Sequence, residues 1–434
     1  MPLRIGIIGG GIGGLTLAVA LSRLGLEDLI EVDIYESAPE LTQVGAGITF
    51  WPRAWKILRD LGLVEALIRH LSPGQHLPDG KPRLGFQFRK ADQRQGVPIH
   101  DLVFAGAALS FHRATVQQIL LENLSPSIRC HLSCRLVSYS EGQAGEVTLT
   151  FEDGKTTTCD LLVGADGLKS VIRKQFVKTG TSDDSSGDPL WSGSFAYRCM
   201  INSDIVSQRV PNHHAFKTPV IYCGKNKHLV VYPILQGRVI NVVAYHSDLS
   251  KEGTQYNGPS FQDVTKDEVI AIFGQWEEEV RVLAENMEKP SRWAIHAIEP
   301  LKSYGSGSVL LLGDAAHAMT PHQGNGAGQA IEDAYILAHL ISKVARDQIP
   351  TSRLTQVYDA IRRPFANFVH AASRAHGLLY QFNAPGFEDM QEYDENVSKD
   401  RLDKLAQLIV GDWEYAWMTT ADGDLEKALA MIQA

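Results

Sequence analysis

Two hydrophobic rhythms alternate along the chain. Arg4–Ile8 is a near-continuous aliphatic run, as in a strand covered on both faces, and Leu15–Leu24 repeats its apolar positions at helical spacing. Between them lies GGGIGG, Gly9–Gly14, so the first 24 residues predict strand, glycine turn and helix. A second strand is predicted at Glu31–Glu36. The segment 45–71, GAGITFWPRAWKILRDLGLVEALIRHL, reads as a glycine turn entering a helix with apolar Trp55, Leu58, Leu61 and Leu63. Ser72–Arg83, polar with three prolines and two glycines, predicts a surface excursion. Leu84–Arg89 and Val97–Phe104 look like strands, and residues 111–124 a helix entered through Arg113. Strands follow at Ile128–Tyr139, Glu146–Glu152 and Thr156–Val163, the last two as a hairpin turned at Asp153-Gly154. Thr179–Asp188, rich in Ser, Thr, Gly and Asp, reads as a domain crossover. Beyond it come a β-rich stretch, Trp191–His246, helices at Asp263–Phe273 and Gln275–Asn286, a strand near Arg292–Ile298, and mostly helix from Gly326 to Ala434.

A length of 434 residues with 44% hydrophobic side chains predicts two or three folding units with ample core. The formal charge is −9, and no run of Lys or Arg offers a track for a phosphate backbone or an anionic bilayer. The expected partners are therefore small molecules, not nucleic acid or membrane. Cys130, Cys134, Cys159, Cys199 and Cys223 are scattered with no CxxC pair, which fits reduced thiols and a cytoplasmic setting better than a disulfide framework or a zinc knuckle. Ile5–Leu21 is apolar enough to suggest a signal-peptide core, but its glycines fall at dinucleotide spacing and Glu31–Glu36 continues the fold.

Gly9, Gly11 and Gly14 satisfy G-x-G-x-x-G in the strand–turn–helix context that the motif requires. One glycine makes the turn, one lets the backbone approach a pyrophosphate, and one lets helix and strand pack closely. Glu36 ends the second strand, where a carboxylate accepts from adenosine ribose hydroxyls. In GADGLKSVIR, 164–173, Asp166 is placed either beside the pyrophosphate or simply as a helix cap, with Lys169 and Arg173 close behind. Ser308–Leu312 predicts a strand delivering Asp314 to ribityl hydroxyls. GNGAGQAIED, 324–333, then begins a long helix whose free N–H groups at Gly324, Gly326, Ala327 and Gly328 would stabilise negative charge on a reduced flavin. His317 and His322 flank Pro321, and although their types suit a metal, hydrogen-bonded loop histidines are the expectation and no metal is assigned.

GGGIGG with Glu36, HRATVQQIL with Arg113, GADGLKSVIR and GDAAHAMTPHQGNGAGQAIEDA, in that order over roughly residues 3 to 370, together resemble the single-component FAD aromatic hydroxylases, with salicylate hydroxylase-like enzymes nearest. The resemblance implies an α/β fold: a Rossmann-type FAD-binding domain from 1–75, 100–180 and 290–370, an inserted β-sheet substrate domain from 76–99 and 181–289, and a helical C-terminal region, 371–434. That last region would pack over the pocket or offer a homodimer surface. It further implies bound FAD with Gly47 beside it, Arg113 near ribityl and pyrophosphate, and NADH or NADPH as a visiting electron donor without its own Rossmann site. A single G-x-G-x-x-G in the right context agrees with this.

The implied reaction adds one oxygen atom of O₂, by way of a flavin C4a-hydroperoxide, to a phenolic acid of hydroxybenzoate or salicylate type, with or without loss of a carboxyl. A nearby cation would favour phenolate. Alternation in Ser194–Ile201 sets Arg198 on one face with Ala196 and Met200, and Tyr232 occupies a corresponding place on a later strand. Arg198, Tyr232 and the Pro321 carbonyl are the candidate catalytic groups. Trp51 and Arg53 depart from the family's usual polar amide, either reshaping a pocket wall or facing solvent. A hydroxylase or epoxidase of larger phenolic polyketides, with Phe195, Tyr197 and Tyr222 as undecided pocket residues, and a flavin-binding redox sensor remain as alternatives.

Overall fold

A computed structural model of the chain describes residues 1–41, 47–71, 75, 77, 80–142, 145–180 and 187–434. Gly45 and Ala46 of the predicted glycine turn, part of the Ser72–Arg83 excursion and most of the Thr179–Asp188 crossover lie outside them. Leu3–Ile8, with no polar face to show to water, becomes an interior strand of a six-stranded sheet. Ile30–Tyr35 and Arg129–His131 lie on one side of it in parallel, and Leu161–Gly164 and Val309–Leu311 on the other, with Gly305–Ser306 antiparallel at the edge. Helices Ile12–Ser22 and Gly326–Asp347 pack together against this sheet. A three-stranded meander of Leu136–Glu141, Val147–Phe151 and Thr156–Cys159 closes the other side, where Leu149 and Cys159 abut Gly6. The strand expected over Ile128–Tyr139 is two strands in two sheets. Ser133, at φ 55°, breaks the extended run between them.

The second layer is an eight-stranded sheet in the order Phe261–Asp263, Ser291–Ala297, Leu190–Asn202, Val239–Ser247, Lys227–Ile234, Val220–Gly224, Pro82–Lys90 and Val97–Ala105. It extends past the expected limits at 99 and 289, because Val97–Ala105 pairs along its whole length with Pro82–Lys90 and Ser291–Ala297 pairs with Leu190–Asn202. The period-2 rule then sorts side chains to two faces. Tyr197, Tyr222, Val231 and Val242 bury themselves against helices Lys266–Phe273 and Glu278–Glu285. On the opposite face, Phe86, Phe88 and Ile221 meet the C-terminal segment around Leu379–Ala416, while Ala196, Val230, Val243, Tyr245 and Trp293 line the middle.

Candidate active site

At the carboxyl ends of the parallel strands lies a cleft of about 340 Å³, where open α/β sheets bind ligands. Its glycines have distinct constraints. Gly9 sits at φ +112°, and a Cβ there would come within 2.3 Å of the Ala165 carbonyl oxygen; one on Gly14 would come within 2.1 Å of the Gly9 oxygen. Gly11 has no heavy atom within 4 Å of such a position and faces the cleft. It precedes helix Ile12–Ser22, whose first N–H groups have no acceptor within the helix. Glu36 lines the same cleft and accepts from Gly10 N–H and Ala38 N–H, both at 2.8 Å, which leaves lone pairs for ribose hydroxyls. Arg113 opens helix Arg113–Glu122 and faces the cleft with a buried Nε that has no partner among the described residues.

Asp166 lines the cleft while serving as a helix cap. Its carboxylate accepts from Val171 N–H at 2.8 Å, Ile172 N–H at 3.2 Å and Ser170 Oγ at 2.5 Å, and burial raises its pKa against those bonds. Lys169 faces the cleft, but Arg173 turns inward. Its guanidinium, fully buried, donates to the carbonyls of Leu168 at 2.5 Å, Gly187 at 2.8 Å, Ala315 at 3.2 Å, Asp314 at 3.3 Å and Gly167 at 3.4 Å. Arg173 thus ties together two loops that line the cleft. Gly313, at φ 62°, makes the turn that presents the exposed Asp314 carboxylate to the same space.

Past Asp314, the His317 Nε2 lies 2.6 Å from the Asp333 carboxylate. Asp333 also accepts from Gly313 N–H at 3.0 Å and Arg362 Nε at 2.7 Å. Burial would raise its pKa, but His317 and Arg362 hold it down at about 2. The Pro321 carbonyl accepts from Gly324 N–H at 3.1 Å within its own loop. Gly324 adopts φ +62°, and helix Gly326–Asp347 makes its first internal bond from Gln329 N to Asn325 O, so the N–H groups of Gly326, Ala327 and Gly328 have no acceptor within the helix. Gly326 and Ala327 line the cleft. Among the described residues no cluster of three or more His, Cys, Asp or Glu side chains is arranged to hold a metal.

Across from this loop stands the middle of the eight-stranded sheet. The register Arg198–Val243–Val230 and Met200–Asn241–Tyr232 places Arg198 and Tyr232 on one face. Arg198 lies 5.2 Å over the Trp293 ring; it has no ion-pair partner among the described residues, and its Nε is buried and unbonded. Burial pushes the Tyr232 phenol up to about 12, reinforced by Tyr245 and opposed by Arg198. Its hydroxyl occupies the space a side chain on Gly47 would take, 2.3 Å from that Cβ position. Gly47 therefore makes room for Tyr232. Sheet and loop meet through His322, whose ring is 5.4 Å from Tyr245 and 5.2 Å from His228. Burial, with Arg374 and His376 nearby, drives His322 down to about 3, leaving it neutral, and its Nδ1 is unbonded. His322 differs in this from the hydrogen-bonded loop histidine expected, because it packs among rings instead of beside a carboxylate.

Three expectations change. Trp51 is 1% exposed and donates its indole N–H to the Gln323 carbonyl at 3.2 Å, and Arg53 is 3% exposed between Glu332 at 3.0 Å and Asp424 at 2.7 Å, so neither faces solvent. Tyr197 and Tyr222 donate to Glu268 at 2.8 Å and Glu279 at 2.6 Å in the layer behind the sheet, and Phe195 packs with Trp191 and Tyr256. None of the three lies on the face of Arg198. Sequence reasoning missed His228, Tyr245 and Asn241 on that face. Asn241 pairs with Tyr232, and His228, paired with Tyr245, lies four residues earlier on the same face, a signal readable only once strand register is known.

Residues 3–373 match the FAD binding domain family. A salicylate hydroxylase of Pseudomonas putida is 33% identical, with 100% of this chain and 96% of that protein covered, and a 3-amino-4-hydroxybenzoate 2-monooxygenase of Streptomyces platensis is 31% identical over 96% and 95%. Among solved structures, a salicylate hydroxylase substrate complex is similar with a TM-score of 0.83 at 30% identity, covering 98% of both chains. The chain belongs to the FAD binding domain family, as a salicylate hydroxylase-like FAD-dependent aromatic monooxygenase.

Proposed function

We propose that this enzyme hydroxylates a phenolic aromatic acid of hydroxybenzoate or salicylate type at the wall formed by Arg198, Tyr232 and Tyr245. The observation that carries this reading is the half-buried Arg198 guanidinium, which stands over Trp293 beside Tyr232 and Tyr245 with no carboxylate partner among the described residues and a buried, unbonded Nε. A half-buried cation with an unbonded donor is stabilised by an anion, and an aromatic carboxylate or phenolate supplies both the charge and the flat apolar body. His322 is neutral, and Arg374, the other cation acting on it, is already paired with Glu252. Arg198 therefore supplies the positive charge of the wall, lowering the pKa of a bound phenol and directing the ring. Tyr232 also borders a second hollow of about 300 Å³, whose described lining includes Phe86, Phe104 and Lys217.

For the cofactor we assign Gly9, Gly11 and Gly14 to the pyrophosphate, Glu36 to the adenosine ribose, Arg113 and Lys169 to the phosphates, Asp314 to the ribityl chain and the N–H groups of Gly326, Ala327 and Gly328 to the flavin ring; the Gly324 N–H, expected free, is instead spent on the Pro321 carbonyl. The open face of Gly11 and the unbonded Arg113 Nε fit an anionic group there. Bound FAD supplies the redox chemistry, accepting a hydride from NADH or NADPH and activating O₂. Asp166 holds the loop by its capping bonds. The five thiols, without a disulfide, suit a reducing compartment such as the cytoplasm. Aromatic-acid monooxygenases among the relatives give no support to the epoxidase or redox-sensor alternatives.

The test is incubation with NADH or NADPH, isotope-labelled O₂ and a panel of hydroxybenzoates, followed by product masses. One labelled oxygen in the product is expected, and loss of carbon dioxide would define a decarboxylating hydroxylation. Hydrogen peroxide alone across the panel would overturn the aromatic-acid assignment.

A further inference from the structure

The loop that faces the flavin is braced from a part of the chain that lies beyond the matched FAD-binding region, residues 3–373. Tyr415 is buried, and its hydroxyl makes two bonds: it donates to Gln323 Oε1 at 2.7 Å and accepts from Asn325 Nδ2 at 2.9 Å. Those two side chains flank Gly324. The Gln323 amide also donates to the Asp412 carbonyl at 3.1 Å, and Trp51 donates to the Gln323 carbonyl at 3.2 Å. Asn325 is the residue before helix Gly326–Asp347, and its Oδ1 lies 2.3 Å from where a Cβ on Gly328 would stand. One hydroxyl therefore sets the direction of the backbone from Gln323 to Gly328.

We propose that Tyr415 is a positioning residue for the flavin: by fixing Gln323 and Asn325 it aims the N–H groups of Gly326–Gly328, and so sets FAD affinity and the potential of the bound flavin. The proposal rests on the assignment of that loop to the flavin ring. Preorganised donors stabilise developing negative charge only while their direction is fixed. Arg53 completes the brace. It bonds Thr419 Oγ1 at 2.7 Å and the Thr420 carbonyl at 2.6 Å while pairing with Glu332 on the helix whose first turn carries the donors. The reduced, more negative flavin depends on these donors more than the oxidised form, so loosening them makes reduction harder.

The test compares full-length wild type with Tyr415→Phe, which deletes one oxygen and keeps the ring, and with Gly326→Ala. The alanine methyl meets no protein atom nearer than Asp314 Oδ1 at 4.0 Å, so it disturbs only what occupies the cleft. FAD is titrated into the FAD-free proteins by fluorescence, and the midpoint potential of the bound flavin is measured. Tyr415→Phe should weaken FAD binding roughly tenfold, as expected for leaving two buried polar groups unpaired. If reduced flavin loses about tenfold more than oxidised flavin, the potential falls by about 30 mV. A melting temperature alone would register a purely structural role; the potential would not. Unchanged affinity and potential in a folded Tyr415→Phe, with both altered in Gly326→Ala, overturns the role of Tyr415. If Gly326→Ala also changes neither, it is the loop assignment that fails. Should Tyr415→Phe not fold, Gln323→Met, which removes the acceptor of the Tyr415 hydroxyl from the other side, carries the test, with the same shifts expected and their absence overturning the proposal.

Discussion

Gly47→Ala gives the sharpest check on the pocket geometry. The added methyl would stand 2.3 Å from Tyr232 Oη but 3.4 Å from Cζ and 3.6 Å from Cε2. The hydroxyl must retreat by roughly 1 Å to reach ordinary contact, into a wall already filled by Tyr245 and Arg198. Overpacking of this kind costs about 1–3 kcal/mol. In a Tyr232→Phe background the offending oxygen is gone, and the nearest remaining atoms are in normal contact. Nearly the whole penalty should therefore be coupling between the two residues, leaving less than about 0.5 kcal/mol for Gly47→Ala in that background. Urea unfolding of the four FAD-free proteins measures the cycle, and the KM for the aromatic acid reads the same displacement in the loaded enzyme. An equal loss of stability in both backgrounds would show that Gly47 is not reserved for Tyr232, and its proposed place beside the flavin would have to rest on the cofactor alone.

Arg173→Met should loosen both cleft loops by leaving the Leu168, Gly167, Asp314 and Ala315 carbonyls without their donor, raising the FAD dissociation constant about tenfold and lowering the melting temperature; unchanged FAD affinity would refute the bracing role. Arg198→Ala should leave FAD binding intact and lower kcat/KM for the aromatic acid roughly tenfold or more, and loss of flavin from a folded variant would show that the arginine serves the cofactor instead. Burial, with Arg374 nearby, drives His322 to about 3 from 6.5, and burial does the same to His376, opposed by the backbone carbonyl of Ile409. Between these values the unfolded chain binds more protons than the folded one, so the stability they contribute is present above pH 6.5 and is lost as pH falls toward 3. Unfolding measured across that range should show a shallower slope in His322→Gln, and an unaltered slope would contradict the assigned burial.

What the sequence disclosed was the part of the site written into local backbone. Gly9 and Gly313 are demanded by their positive φ and Gly14 by the Gly9 carbonyl in its own turn, so local spacing exposes them. Much of the strand and helix order followed from hydrophobic period, but Ser133 turned one predicted strand into two, strand Gly47–Phe50 stands in the predicted glycine turn, the helix after it is two, Pro52–Asp60 and Val64–Ile68, and helix Ser203–Arg209 interrupts the β-rich stretch. The ends of the eight-stranded sheet were less legible. Val97–Ala105 and Ser291–Ala297 are claimed by strands distant in the chain, and strand pairing leaves no local mark.

The same limit explains the arginines. A cation next to a proline, as at Arg53, or at the end of a basic-looking decapeptide, as at Arg173, reads as surface or as phosphate ligand because isolated charges are seldom buried. Their actual partners are Asp424 and Glu332 for one, and the carbonyls of loops near 167 and 314 for the other. Burying a guanidinium is favourable only when nearly all its donors are satisfied, so each such residue forces several segments into one fixed arrangement. Arg53, Arg173 and Arg362 all bind elements that line the cleft or support its lining, and all three are within 3% of full burial. Arg198 is the contrasting case. It lies on the pocket face with no carboxylate partner among the described residues, whereas Arg53 has two, and that is the reason to expect the aromatic anion there.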